Sequence, residues 1–335
     1  MKAIVYDQPG LPIDSLTSLY DIEVPTPVPG PHDLLVKIEA ISVNPVDSKL
    51  RNSMPTASPR ILGWDAAGTV EAVGTEVSAF KVGDKVWYAG DITRPGSYAE
   101  YGLVDERIAG HRPSSLDVAD AAALPLTTIT AWELLFDRLG VKEGAGHGET
   151  LLIIGAGGGV GSILVQLARK LTALTVIGTA SRTETKDWVT ALGAHHVIDH
   201  RQPLQAQLSD LGHKEVDHVI SLTHTDTYYE QIVALLKPEG QLALIDDPAT
   251  LDAMPLKRKS ISLHWEFMFT RSMYRSPAMI KQHALLNRVA ELIDSGVLQT
   301  TTGAHLGAIN AENLRRAHVL IESHSARGKI VLEGF

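Results

Sequence analysis

LLIIGAGGGVGS, residues 151–162, decides how the middle of this chain folds. LLIIG is a continuous apolar run of the kind that forms a strand buried on both faces, and the segment GSILVQLARKL that follows the glycines reads as a helix. A strict G-x-G-x-x-G does not fit, because Val160 stands where Gly155 and Gly157 would require the last glycine. The register that works is Ala156, Gly158, Gly161. It puts a small residue at the turn, lets backbone at Gly158 approach a pyrophosphate, and lets Gly161 pack helix against strand. Gly159 and Val160 then fall in the first helical turn, where unpaired N–H groups and partial positive charge suit phosphate.

Working outward, more strands follow: LTVIGTA (174–180), VDHVISL (216–222) and QLALID (241–246), with helical segments between them. Strands alternating with helices predict a doubly wound parallel sheet, an α/β Rossmann arrangement. Before it, LLVKIEAISV (34–43), GTVEAVG (68–74), KVGDKVWY (81–88) and SYAEYGLVD (97–105) are short β-rich runs, and PTPVPGPHD (25–33) is a connector, so a small twisted β domain is expected. A helical segment, TAWELLFDRLG (130–140), leads into the sheet. After it, PAMIKQHALLNRVAELIDSG (277–296) carries Leu286, Val289 and Ile293 at helical spacing and stops at Gly296. A last helix around ENLRRAHVLIES precedes a final strand in KIVLEGF.

The choice of dinucleotide is read at the end of the second strand. TASRTETK (179–186) places Ser181 and Arg182 where an enzyme for NAD would usually carry an acid for the ribose hydroxyls, with Lys186 shortly after. An arginine fork suits a 2′-phosphate, and an acid would repel it. NADPH is therefore the expected cofactor.

Composition bounds the rest. A chain of 335 residues exceeds one ordinary core, so two domains are expected. A formal net charge of −9, with no long basic run, argues against nucleic acid as a partner. No apolar run approaches membrane-spanning length, and MKAIVYDQPG reads as strand and turn rather than a signal segment, so a cytoplasmic protein is expected. With no cysteine, disulfides, thiolate nucleophiles and sulfur-ligated zinc are excluded. HHVIDH (195–200) is the one dense histidine group, and neighbouring strand residues point to opposite faces, which argues against joint ligation.

Four ordered motifs, VNPVDSKLR (43–51), LGWDAAGTVEAVG (62–74), LPLTTITAWELL (124–135) and GAGGGVGS (155–162), resemble the medium-chain dehydrogenase/reductase superfamily. Within it the chain is similar to the quinone oxidoreductase branch and to bacterial zinc-type alcohol dehydrogenase-like proteins. The resemblance implies a GroES-like β-barrel catalytic domain, residues 1–124 and 268–335, and a Rossmann domain, residues 125–267, with the active site in a cleft. It also implies a homodimer in which Rossmann sheets meet edge to edge. Zinc-dependent members carry a Cys, a His and a second Cys or an Asp where this sequence has Asn44, Trp64 and Leu126, and the hydroxyl of their proton relay falls at Val46. Amide, indole and isobutyl groups cannot replace those ligands. A site without metal is expected.

The reaction that fits is NADPH-dependent reduction of quinones or α,β-unsaturated carbonyl compounds, where hydrogen-bond donors steady a developing oxyanion. An alcohol dehydrogenase or aldehyde reductase of the same superfamily, or a nucleotide-binding protein without turnover, are the alternatives. Asn44 either orients substrate or nicotinamide ribose, or simply forms the turn before Pro45. Asp47 is expected to hold that loop, Trp64 to line the pocket, and Asp65 to anchor it. By the resemblance, Thr130 lies beside the nicotinamide unless it only caps a helix. His200 lies beside the adenine end unless it is a plain loop histidine, and Lys329 lies where relatives approach the cofactor. Leu126 and Phe269 are expected to line an apolar substrate pocket, although WEFMFTRSMY (265–274) also suits a subunit contact or plain core.

Overall fold

The computed structural model describes residues 1–335 and divides into two compact units. In chain order the first strands are β1 (Lys2–Tyr6), β2 (Tyr20–Glu23), β3 (Asp33–Val43), β4 (Arg60–Ile61), β5 (Ala66–Val73), β6 (Lys85–Tyr88), β7 (Tyr101–Asp105) and β8 (Ala109–His111). Helices α1 (Pro45–Ser53), α2 (Val118–Ala122) and α3 (Pro125–Trp132) accompany them. Next come β9 (Thr150–Ile154), α4 (Gly159–Leu171), β10 (Thr175–Thr179), α5 (Thr183–Ala191), β11 (His196–Ile198), α6 (Leu204–Asp210), β12 (Val216–Ser221), α7 (Thr225–Leu235), β13 (Leu236–Leu244) and β14 (Ser262–Trp265). The chain closes with α8 (Thr270–Met273), α9 (Ile280–Asp294), β15 (Thr302–His305), α10 (Ala311–Glu322) and β16 (Lys329–Glu333).

One unit comprises Met1–Ile129 and Phe269–Phe335. Its seven-stranded sheet runs β15-β16-β3-β5-β6-β8, with β7 also paired to β3, and a smaller sheet runs β2-β1-β4. The long strand β3 holds the unit together because it pairs antiparallel with β5, β7 and β16. Irregularities between Leu35 and Val36 and between Ile38 and Ala40 let it bend while doing so. Its register with β16 sets Ile330 opposite Val43, which brings the preceding Lys329 beside Asn44. The first crossing of the chain out of this unit lies at Ile129, inside α3, rather than at residue 124. The start of α3 is tied to this unit by the Leu126 N–H, which donates to the Asp65 carboxylate at 2.8 Å.

The other unit, Thr130–Met268, is one six-stranded sheet in the order β11-β10-β9-β12-β13-β14, with every neighbouring pair parallel. This is the 3-2-1-4-5-6 order of a doubly wound dinucleotide fold, whose ligands bind outside the carboxyl ends of the strands where the order reverses. Leu152, Ile154, Ile177, Val219, Leu242 and Leu244 are buried in its core. Each such side chain contributes about 1.5–3 kcal/mol relative to exposure. The helix expected over 130–140 is not regular. After Trp132 it widens into a π turn, Glu133–Arg138, closed by the Leu139 N–H on the Leu134 carbonyl. No helix of the protein is long and apolar enough to cross a membrane.

The stretch 265–274 does not act as one patch. Trp265 ends β14 and is 51% exposed, Phe267 is 47% exposed, and Phe269 is buried. The glycine turn also refines the expected register. The left-handed residue is Gly155 (φ 85°), so Gly155 makes the turn, and Ala156 is buried against Gly178 rather than standing at the bend. Gly161 is required for packing, since a Cβ there would lie 2.5 Å from the Gly155 carbonyl oxygen. Gly161→Ala is therefore expected to lower unfolding free energy by about 1–3 kcal/mol in urea denaturation.

Candidate functional site

Residues from four elements converge on Asp65, which is fully buried just before β5. Its Oδ1 accepts the Leu126 N–H at 2.8 Å. Its Oδ2 accepts from the Ser42 hydroxyl at 2.7 Å, the Asn44 amide at 2.8 Å and the Lys329 ammonium at 3.0 Å. The Ser97 hydroxyl donates to its backbone carbonyl at 3.0 Å. Lys329 is 3% exposed and donates further to the Val43 carbonyl at 3.1 Å and to the Asn44 side-chain oxygen. A buried charge is tolerable only when paired and hydrogen-bonded, and here both partners are saturated.

Asn44 caps α1 with Pro45 at the first helical position, and the Asp47 carboxylate accepts the Asn44 N–H at 2.8 Å. The amide of Asn44 is committed on both sides. Its N–H groups go to Asp65 and, at 3.4 Å, to the Trp64 carbonyl, while its oxygen receives Lys329. Trp64 is a wall, with its indole N–H on the Asp91 carbonyl at 3.2 Å and its ring edge-on to Phe269 at 6.1 Å between centroids. A small cavity borders Trp64 together with Tyr88, Asp91 and Ser97, and neither Leu126 nor Phe269 lines it. Lys329, expected beside the cofactor, has its three protons committed to this cluster.

Behind Asn44 lies a second buried chain that local sequence gives no sign of. The Tyr98 hydroxyl donates to the Asp47 Oδ2 at 2.8 Å and lies 3.3 Å from Nε2 of His318 on α10. Burial pushes the Asp47 carboxyl up to about 7, against the pull of the Asn44 N–H, the Tyr98 hydroxyl and Lys329. Burial also pushes His318 down to about 3, helped by Arg51. The Tyr98 phenol is raised by burial and by Asp47.

Zinc does not fit these positions. The amide at Asn44 is spent, the indole at Trp64 donates rather than accepts, and an ammonium already sits within reach of Asn44 and Asp65. No group of three His, Asp or Glu side chains is arranged to hold a metal ion. His195, expected to lie on a strand beside His196, precedes β11, and its Nδ1 accepts the Val176 N–H at 3.0 Å.

In the parallel-sheet unit a dinucleotide does fit. Gly158 caps α4 without any side-chain cap, and a Cβ there would meet nothing closer than the Gly155 oxygen at 3.6 Å. The backbone is open at the point where a pyrophosphate would approach, and Gly159, Val160 and Gly161 form the first turn beneath it. Thr130 is buried in the same unit. Beyond β10, Ser181 is half-buried and Arg182 is the exposed cap of α5. Lys186 lies 3.4 Å from Asp199 at the end of β11. Sequence reasoning missed Arg201. Its guanidinium donates to Asp199 at 2.7 and 3.1 Å and to the Ser181 carbonyl at 3.0 Å, tying the ends of β10 and β11 together. Arg201, joined by Lys186, holds the Asp199 carboxyl well below the usual range. His200 sits within this group.

Two family models match the chain: "Alcohol dehydrogenase GroES-like domain" over residues 30–114 and "Zinc-binding dehydrogenase" over residues 192–332. A zinc-type alcohol dehydrogenase-like protein of Staphylococcus aureus is 42% identical over 99% of both chains. A quinone oxidoreductase of Lama guanicoe is 31% identical over 92% of this chain and 91% of its own. Among solved structures, a Rhizobium etli protein named as a zinc-dependent alcohol dehydrogenase superposes with a TM-score of 0.96 at 54% identity, covering 100% of this chain and 98% of that one. Mycobacterial Rv1454c complexed with NADPH superposes with a TM-score of 0.84 at 29% identity over 99% of each chain. The chain belongs to the medium-chain dehydrogenase/reductase superfamily of oxidoreductases, in its quinone oxidoreductase-like branch.

The Asp47 and His318 shifts have opposite consequences for stability. Asp47, raised in the folded state, costs stability as pH climbs from about 4 towards 7. His318, lowered, costs stability as pH falls from about 6.5 towards 3. Between about pH 4.5 and 6.5 the two slopes, each roughly 1 kcal/mol per pH unit, cancel. Asp47→Asn should therefore gain stability with rising pH over that window relative to the parent protein, and His318→Gln should lose it, in urea titrations at each pH. Removing only the cation of the buried pair, Lys329→Met, should cost about 3–5 kcal/mol, and adding Asp65→Asn should restore part of it.

Proposed function

We propose that the protein is an NADPH-dependent oxidoreductase that works without zinc and reduces quinones or α,β-unsaturated carbonyl compounds. The observation that carries the reading is the pairing of an open glycine turn at Gly158 with a group of cations at the ends of β10 and β11. The α4 N–H groups would hold the pyrophosphate, and Arg182, Lys186 and Arg201, with the Ser181 hydroxyl, would hold a 2′-phosphate. Bound NADPH would supply a hydride equivalent to the acceptor. The cluster around Asp65, with its donors spent within the protein, would hold Asn44 and Trp64 in place as a rigid wall beside the acceptor. The NADPH complex of a relative and the quinone oxidoreductase name of another support this reading.

We also infer a homodimer formed through β14. This strand is one of the two edges of the parallel sheet, and Trp265 and Phe267 are exposed at and just beyond its end. An unpaired edge with exposed aromatic groups is a template for a second copy.

NADPH oxidation should be detected with quinones or enones and be unaffected by chelator. Activity only with alcohols or aldehydes and added zinc would favour the dehydrogenase reading, and no turnover with any acceptor would favour a binding protein. Arg182→Ala should weaken NADPH binding by roughly tenfold to a hundredfold in fluorescence titration, with NADH little changed. Trp265→Glu should shift the sedimentation coefficient from dimer to monomer.

A further inference from the structure

The end of the edge strand β14 meets a buried acid pair that the proposed chemistry does not use. Trp265 and Phe267 are exposed, and Glu266 between them is buried, as the alternation of extended chain places it. Glu266 Oε2 accepts the Arg138 Nε–H at 2.7 Å, and the same guanidinium lies 3.5 Å from the Glu133 carboxylate. Glu133 opens the π turn and Arg138 closes it, and the i to i+5 spacing of such a turn brings them together. Glu133 is fully buried too, and its carboxyl group is hydrogen-bonded to that of Glu266. Glu266 Oε1 is buried and no N–H donates to it. Two carboxyl groups in contact do not both ionise, and one arginine balances only one of them, so the pair keeps a proton. The other titratable group within reach of Arg138 is His264 of β14, held below its ordinary range by burial and by Arg138.

We propose that Glu133, Glu266 and their shared proton form a latch that fixes the end of β14 as a pairing edge, so that a second copy of the chain docks against Trp265 and Phe267 only while the proton is held. This rests on the dimer reading above and supplies its regulation. With the latch closed, the Glu266 N–H donates to the Leu244 carbonyl at 3.0 Å and continues the parallel ladder beyond the Trp265–Leu244 pair, which holds the aromatic groups on either side in fixed positions. When the proton leaves to solvent, two carboxylates face one guanidinium in the interior. The chain relieves them by turning Glu266 out to water, and its two neighbours move with it. An inward-pointing charge is one means by which an edge strand is kept from pairing, and here a proton decides whether the charge exists. Burial and Glu133 push the Glu266 carboxyl up to about 8, against the pull of Arg138. The opened form ionises at the ordinary 4.5, so the latch is firm below that pH, weakens as pH climbs, and changes no further above about 8.

The experiment is sedimentation velocity of the full chain over a concentration series between about pH 6 and 9, with the parent protein, Glu266→Gln and Glu133→Gln. The dimer dissociation constant of the parent should rise by up to about tenfold per pH unit for each subunit's pair, and level off near pH 8. Either glutamine keeps a neutral hydrogen-bonding partner for the remaining carboxylate, so the rise should vanish in each variant. Amide exchange of residues 262–267, corrected for its intrinsic pH dependence, should quicken over the same range in the parent alone. Infrared spectra at neutral pH should show a buried carboxylic acid carbonyl band that is lost in both variants and kept in Asp47→Asn. A dimer indifferent to pH, a rise that persists in both variants, or a band that survives in both, overturns the proposal and leaves the dimer reading standing. A parent protein that is monomeric throughout overturns both.

Discussion

The buried ion pair between Asp65 and Lys329 constrains the rest of the unit that carries it. Neither charge is tolerable in that interior without the other, so the elements that carry them must meet within hydrogen-bond distance. That requirement fixes the register of β16 on β3, seats the start of α3 through the Leu126 N–H, and leaves Asn44 one orientation. Around Asn44 and Trp64 this chain has built a saturated hydrogen-bonded network. The positive charge belongs to the polypeptide, and its partner is a carboxylate one residue from the tryptophan that lines the wall.

The parallel-sheet unit solves a different problem with local means. Its strand order and its glycine turn arise from short stretches of apolar and small residues, and its clustered charges sit on consecutive connections at one end of the sheet. Asp199 organises this end much as Asp65 organises the other unit, by gathering cations that would otherwise repel. It differs in being close to solvent, so that part of its cationic company remains available to an anion.

What could be read in the sequence divides along the same line. The Rossmann order was legible because each strand and helix announces itself within about ten residues. The glycine motif was legible too, except that the turn residue is Gly155 and not the Ala156 position, a distinction that only a dihedral angle makes visible. The network at Asp65 was only half legible. Asn44, Asp47, Trp64 and Asp65 were singled out, but Lys329 was assigned to the cofactor, and the Tyr98–His318 partnership spans 220 residues with no local pattern. Arg201 was passed over because a single arginine in a loop carries no periodicity. Stretch 265–274, compact in sequence, separates into an exposed edge and a buried ring because a strand ends within it.

Lys329 lies 264 positions after its partner, and the whole of the parallel-sheet unit is encoded between them. A chain emerging from the ribosome therefore completes its continuous unit while the discontinuous one still holds an unneutralised aspartate and an open edge on β3. The wall at Asp65 therefore closes only once β16 is in place, and a defect in that strand strikes the Asp65 cluster before it touches the glycine turn.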